Sequence, residues 1–395
     1  MSSSAISAVS AFTVLVEQSL RRALDGPAHG LGAVLGQLSG ADPVVTARLL
    51  QAIADENPPL ATRARELLDE ARTPRPVVPT EPPVPHPLDY AWMFTPETAW
   101  ALLERIAAAS TPGELVLHLG TPALHALACE ELPDRRHLLV DRDPRQAQAA
   151  NRRSQGSAVV RDLLVDGLGV GGAAVAVADP PWYPLHAAAF VGAAAEGLRK
   201  SGVLLVAMPS PLTRPGIARE RQELIDVSVQ AGLSLTDEQT GVLRYVAPPF
   251  EQAAMSAAAI PGLPEDWRRA DLWTLSAVEP RRFLQPADTA AHWRRIEVEM
   301  IPLRVWEDAP PLGSELLGSL VEGDVLASVS ARVPERKTAA LWTSRNRVFC
   351  SSDPPRLAAL ARRLEDGLSP DPADAETAYR LLDLIAVERA EHLLP

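Results

Sequence analysis

Apolar residues recur at three- and four-residue steps near the start of the chain, at Val9, Phe12, Val16 and Leu20 and again at Leu31, Val34 and Leu35. That is the period with which a helix turns one face inward. Asp42-Pro43 fits a helix start, the aspartate as cap and the proline at the first helical position, leading into residues 44–53. Pro58-Pro59 breaks the run before a last helix over 60–71. Residues 1–72 thus read as a helical domain that packs on the rest of the chain or on a protein partner. Residues 73–88 contain Pro74, Pro76, Pro79, Pro82, Pro83, Pro85 and Pro87. Such a segment favours extended polyproline II and reads as a linker.

Beyond it, apolar runs alternate with helical periods. Thr95 caps and Pro96 opens a helix to about residue 109. Strands are expected at 114–119, 136–140, 158–160, 173–178 and 203–208, with helices at 124–131, 144–153, 185–199 and 218–231. Lys200-Ser201-Gly202 supplies a glycine stop for the 185–199 helix. Strands joined by crossover helices build a parallel sheet. Two further β-runs, 241–246 and 253–260, are expected to close it as an antiparallel pair, so residues 89–262 read as one α/β domain. Residues 263–395 read as an α+β domain, with strands over 296–303, 325–333 and 339–342 running on toward 347–350, and helices over 357–364 and 373–393.

Composition narrows the function classes. The formal charge of −12 argues against a chain that coats nucleic acid through non-specific phosphate contacts. Cys129 and Cys350 stand far apart without metal-ligand spacing, so neither a disulfide framework nor a metal site is expected. The start lacks a basic leader, and no apolar run approaches the roughly 20 residues of a membrane span, so a cytoplasmic protein is expected. The sequence leaves the oligomeric state open, a homo-oligomer included.

The chemistry gathers where strands end. Residues 173–178 are apolar and give way at once to Asp179-Pro180-Pro181-Trp182-Tyr183. In an open α/β sheet, ligands sit beyond the carboxyl ends of the strands, which aims Asp179 at the ligand crevice. Two prolines stiffen the turn and leave carbonyls free to accept hydrogen bonds. A carboxylate, a fixed carbonyl and a flat ring together suit a group carrying an NH₂. Gly120-Thr121 turns the chain after the first strand, and Asp141 and Asp162 follow the second and third.

This pattern resembles the class I S-adenosylmethionine-dependent methyltransferases. Asp179-Pro180-Pro181-Trp182 is similar to the signature of the amino-methyltransferases, including those acting on N6 of adenine, and Phe94-Thr95-Pro96 resembles their upstream cofactor-contacting element. The resemblance covers residues 90–260 and implies a Rossmann-like class I methyltransferase sheet with S-adenosylmethionine as cofactor. By it, Phe94, Thr95, Pro96, Gly120 and Thr121 hold the methionine end, Asp141 the ribose and Asp162 the adenine. Asp179 and the Pro180 carbonyl would hold the target amine while Trp182 or Tyr183 stacks on its ring. The glycine turn, His118-Leu119-Gly120-Thr121-Pro122-Ala123, departs from the family by lacking its acid and extra glycines.

Three functions stay open at this point. The leading one is an S-adenosylmethionine-dependent methyltransferase acting on an amino nitrogen, with N6 of adenine in DNA or RNA among the candidate substrates. The second is a catalytically silent subunit of the same fold. The third is a relative transferring an aminopropyl group from decarboxylated S-adenosylmethionine, a reading that the negative charge and the single-glycine turn favour. For a nucleic-acid substrate, Arg332, Arg336, Arg345 and Arg347 with Trp342 among them would track phosphates beside a stacking ring.

Overall fold

The structure is a computed structural model and describes residues 3–56, 59–75, 84–154, 157–281 and 293–393. The chain divides into two compact units, one of Met1–Leu68, Ala91–Val246 and Pro264–Asp288, the other of Asp69–Tyr90, Ala247–Leu263 and Thr289–Pro395.

The first unit opens with helices α1 (Ser3–Asp25), α2 (Leu31–Gln37), α3 (Pro43–Ala54) and most of α4 (Leu60–Arg72). Asp42 caps α3 as expected, accepting from the amides of Val44 and Val45 at 2.9 Å each. These helices lie on the α/β portion, since a side chain at Gly40 would strike the carbonyl of Arg269 and one at Gly241 would strike Ser39.

The unit continues through α5 (Pro96–Ala109), β1 (Leu115–Leu119), α6 (Pro122–Glu131), β2 (Arg136–Asp141), α7 (Pro144–Ser154), β3 (Ala158–Val160) and β4 (Ala173–Ala178). It is completed by α8 (Pro184–Gly197), β5 (Leu198–Met208), α9 (Ile217–Gln230), β6 (Leu233–Arg244) and, from the far side of residue 262, β7 (Arg269–Ala277). The strands form one seven-stranded sheet in the order β3-β2-β1-β4-β5-β7-β6. β1 to β5 are parallel and β7 runs antiparallel to both neighbours. This is the Rossmann-like α/β sheet of the class I methyltransferase type. Every residue of β1 and β4 is buried, the mark of central parallel strands covered on both faces. Alanines in β4 and α8 let that helix come close, and at Gly197 a side chain would run into Leu117 and Leu168.

Three expectations for this region are corrected. Residues 253–260 are not a strand, because Pro249–Ala257 is a helix, α10, opened by Pro248-Pro249 and rich in alanine, the best helix former. The antiparallel partner of β6 is β7, beyond the boundary placed at 262. Helix α8 ends at Gly197 instead of at Gly202, which lies within β5 where the pairing with β4 shifts register.

The second unit holds α10 and a five-stranded antiparallel sheet ordered β10-β12-β11-β9-β8. Its strands are β8 (Arg294–Val298), β9 (Ile301–Val305), β10 (Gly318–Ser319), β11 (Leu341–Thr343) and β12 (Val348–Cys350), covered by α11 (Pro354–Glu365) and α12 (Ala375–Leu393). The single strand expected over 296–303 is a hairpin turning at Glu299 and Met300, both with positive φ, as a tight two-residue turn requires. Residues 325–333 form one isolated bridge, Val325 with Arg347, and lead into a 3-10 turn over Pro334–Lys337. Of the expected linker, Pro76, Pro79, Pro82 and Pro83 lie outside the described residues, whereas Val84 and His86 are buried within the second unit.

Candidate functional site

Backbone hydrogen bonds tie the strand ends into one edge. The Gly120 amide donates to Val140 O at 3.0 Å, the Arg161 amide to Asp141 O at 3.0 Å, and the Asp179 amide to Leu119 O at 3.2 Å. The order β3-β2-β1-β4 therefore brings Asp162, Asp141, Gly120-Thr121 and Asp179 to neighbouring positions at the carboxyl edge of the sheet.

Asp179 is partly exposed, and its Oδ1 accepts a hydrogen bond from Tyr245 Oη at 2.9 Å. Burial raises its carboxyl to about pH 7, with the Tyr245 hydroxyl pulling the other way. The Tyr245 phenol is itself pushed well above its ordinary range by burial and by the neighbouring carboxylate. Asp179 forms no ion pair with another described residue. A carboxyl poised near neutrality at a strand end suits a proton acceptor.

The following turn is rigid. Pro180 is buried, the Tyr183 amide donates to Pro181 O at 2.7 Å, and Trp182 O accepts from Arg214 Nη2 at 3.0 Å. Tyr183 sits at the start of α8, its ring tilted against His186. Trp182 also lines a groove of about 320 Å³ beside α8 and α9, whose apolar walls include Leu185, Met208, Ile217 and Leu224 and whose polar groups include Glu220 and Glu223.

The upstream element joins the same site. Phe94 forms an antiparallel bridge with Tyr245, the Thr95 amide donates to Arg244 O, and Thr95 with Pro96 opens α5. Phe94 and Trp92 pack their rings on Tyr245 with centroids 4.9 and 6.2 Å away. A small cleft runs between Trp92 and Phe94 on one side and Thr121 and Pro122 on the other. Thr121 is buried, and its Oγ1 has no hydrogen-bond partner among the described residues. Gly120 has φ +67°, and a side chain there would stand 3.0 Å from Phe190 Cε1 and 3.5 Å from Asp179 O, so the turn admits only glycine without displacement.

Asp141 Oδ1 accepts from the Asp143 amide at 2.8 Å, and burial raises its carboxyl. Asp162 Oδ1 accepts from the Leu164 amide at 3.0 Å. Each therefore uses one oxygen to shape its own turn.

No protein-family model and no curated protein matches this sequence. Solved structures do. The branched-chain polyamine synthase of Thermus thermophilus, solved with N4-aminopropylspermidine and 5'-methylthioadenosine, is 17% identical, with a TM-score of 0.50 over 71% of this chain and 91% of that one. A TehB-like SAM-dependent methyltransferase from Corynebacterium glutamicum is 13% identical over 46% of this chain and 88% of its own, with a TM-score of 0.31. At these identities the likeness is one of fold.

Of the basic set expected to meet nucleic acid, Trp342, Arg336, Arg345 and Arg347 are engaged by other residues of the second unit. Trp342 is 2% exposed and donates through Nε1 to Asn346 Oδ1, so it presents no face to a base. Arg336 lies 3.4 Å from the centre of the Trp342 ring and is hydrogen-bonded to Ser328 O, Ser330 O and Asn346. Arg345 pairs with Glu391, and Arg347 with Glu391 and the fully buried Glu388. Arg332 is exposed. Arginine and tryptophan spacing alone does not distinguish a solvated basic stripe from a buried polar network.

Sequence reasoning missed Tyr245, Trp267 and Arg268. The run 241–246 carries one of only four tyrosines next to its end, which was the available signal for the first. Trp267-Arg268 immediately precedes β7, in a stretch read as part of another domain.

Proposed function

We propose that this protein transfers an aminopropyl group from decarboxylated S-adenosylmethionine to an amine nitrogen of an aliphatic polyamine. The observation that carries the reading is Asp179: a carboxylate at the end of β4, raised toward neutrality, backed by Tyr245 and walled by aromatic rings. An acid in that setting attracts an amine and takes its proton as the nitrogen becomes a nucleophile.

The donor would lie along the strand edge. Gly120 permits close approach, and the partnerless Thr121 Oγ1 beside the cleft is free to hydrogen-bond its propylamine end. Asp141 and Asp162 each retain a second oxygen for the ribose hydroxyls and the adenine amino group. Pro122 opens α6 without an amide donor, which suits a donor lacking a carboxylate. Bound there, the sulfonium supplies a carbon whose bond to sulfur breaks with the electron pair leaving on sulfur. Asp179 and the Pro180 carbonyl orient the amine, and Asp179 accepts the proton the nitrogen loses, so the chain's own contribution is positioning and electrostatics. The groove at Trp182 offers apolar walls for a methylene chain, and its two carboxylates are held by arginines, Glu220 by Arg214 and Glu223 by Arg219. The net charge of −12 favours a polycation over a nucleic acid. The activity in the name of the Thermus thermophilus structure, whose similarity extends over 71% of this chain, is consistent with this reading.

Methyl transfer from S-adenosylmethionine to an aromatic amino nitrogen, N6 of adenine included, is the second reading. The partly exposed Trp182 ring beside Asp179, as in the Asp-Pro-Pro-Trp pattern, favours it. Calorimetry with S-adenosylmethionine, its decarboxylated form and 5'-methylthioadenosine, followed by transfer assays with spermidine and with adenine-containing oligonucleotides, separates the two. Aminopropylated spermidine is the expected product, lost in Asp179→Asn with donor binding retained. Methylation of the oligonucleotide alone would establish the second reading, and binding of no adenosyl ligand would overturn both.

A further inference from the structure

Three indole rings surround one guanidinium beside the strand-end acid. Arg268 Cζ lies 4.6 Å from the centre of Trp92, 4.8 Å from Trp267 and 5.2 Å from Trp182. A cation within about 6 Å of an aromatic centre is drawn to the ring face, and tryptophan is the strongest such partner. Trp92 and Trp182 also meet Tyr245 edge-on, at 6.2 and 6.0 Å, and Tyr245 donates to Asp179. The aromatic box and the carboxylate thus share Tyr245 as a wall. Trp267 is buried, whereas Trp92, Trp182 and Arg268 are partly exposed, which gives the box a side open to solvent.

We infer that this box is the subsite for a second, non-reacting ammonium of the acceptor amine, and that Arg268 occupies it in the ligand's place when the amine is absent. The inference rests on the amine-transfer reading above. The nitrogen that reacts must shed its charge beside Asp179, but the other nitrogens of a polyamine keep theirs and need a site. Indole faces hold such a charge without adding a carboxylate next to Asp179, which would compete for the reacting proton. The box already satisfies a cation in this structure. A guanidinium is weakly hydrated and sits on a flexible stem, so it is a replaceable occupant. Its occupancy lowers the apparent affinity for the amine by the fraction of molecules in which the box is free.

Calorimetry on the full chain tests this with two probes, spermidine and choline, the latter a permanent cation that cannot accept an aminopropyl group. Arg268→Met is expected to tighten both about tenfold, and Trp267→Phe to weaken both about fivefold, the sizes set by cation–aromatic attraction. Arg268→Lys keeps a charge in the box and should bind like the wild type, and far-UV circular dichroism checks that each variant is folded. Spermidine transfer with both affinities unmoved or weakened by Arg268→Met would overturn the box and leave the transfer reading intact. Tighter choline binding in Arg268→Met without any spermidine binding or transfer would overturn the acceptor role of the box together with the transfer reading.

Discussion

Tyr245 and Asp179 meet at 2.9 Å, although the strands that lead to them, β6 and β4, are separated in the sheet by β5 and β7. The bond is possible because β6 runs in the same direction as β4 and ends at the same edge of the sheet, where Tyr245 bridges Phe94. It joins the acid to the element that precedes the whole sheet in sequence.

The bond fixes a pH dependence. Asp179 must be ionised to take a proton, so kcat/KM should rise with pH through a limb near 7, the value to which burial raises the acid. The Tyr245 hydroxyl stabilises the charged form. Removing it in Tyr245→Phe raises the carboxyl further and should move the limb about one unit to higher pH, the worth of one hydrogen bond to a charged group. A pH–rate profile whose limb stays in place in Tyr245→Phe would dissociate the limb from Asp179.

Gly120→Ala should destabilise the fold by about 1–3 kcal/mol, from the positive φ together with crowding against Phe190 and the Asp179 carbonyl. Urea unfolding measures it. Phe190→Leu in the same background should restore part of the loss, since the ring is the closest obstacle.

Arg347→Ala should cost about 3–5 kcal/mol, because it strips a guanidinium from Glu388, which is wholly buried and whose carboxyl burial already raises. The expected signature is a lower denaturation midpoint. A nucleic-acid contact would instead reveal itself as salt-dependent loss of oligonucleotide binding without change in stability.

Buried imidazoles predict acid sensitivity. Burial lowers His86 to about 3 and His125 and His392 to about 4, and holds His118 well below its usual range. Above pH 6.5 both folded and unfolded chains are neutral at these positions. Between 6.5 and about 4 only the unfolded chain takes up the protons, so stability falls as pH is lowered across that window. Denaturation midpoints measured from pH 7.5 to 4.5 should decline accordingly, and His118→Leu should flatten the decline.

Much of the sheet was legible because β1 and β4 are short, apolar but for His118, and bounded by glycine or aspartate, as at Gly120 and Asp179. The strand-end residues could be placed on one edge from the alternation alone. What escaped were features set by pairing between distant segments. Residues 253–257 are apolar enough for a strand, yet alanine favours the helix, and β7 comes from beyond the expected domain boundary. Tyr245, Trp267 and Arg268 acquire meaning only through that pairing. Arg345 and Arg347 illustrate the converse, since the buried Glu388 and the partly exposed Glu391 of α12 claim them at a separation of more than forty residues.

The Tyr245 amide donates to Arg268 O at 3.1 Å, directly beyond the Arg244–Arg269 pair at the end of the β6–β7 ladder. One rung therefore carries both the phenol that tunes the acid and the guanidinium that fills the aromatic box. β6 is the outermost strand of the sheet, the position from which a ladder frays first. The site thus couples an acid on a central strand to a phenol and a guanidinium on the outermost pair, and amide exchange at Tyr245 would register ligand occupancy while the buried amides of β1 and β4 stay silent.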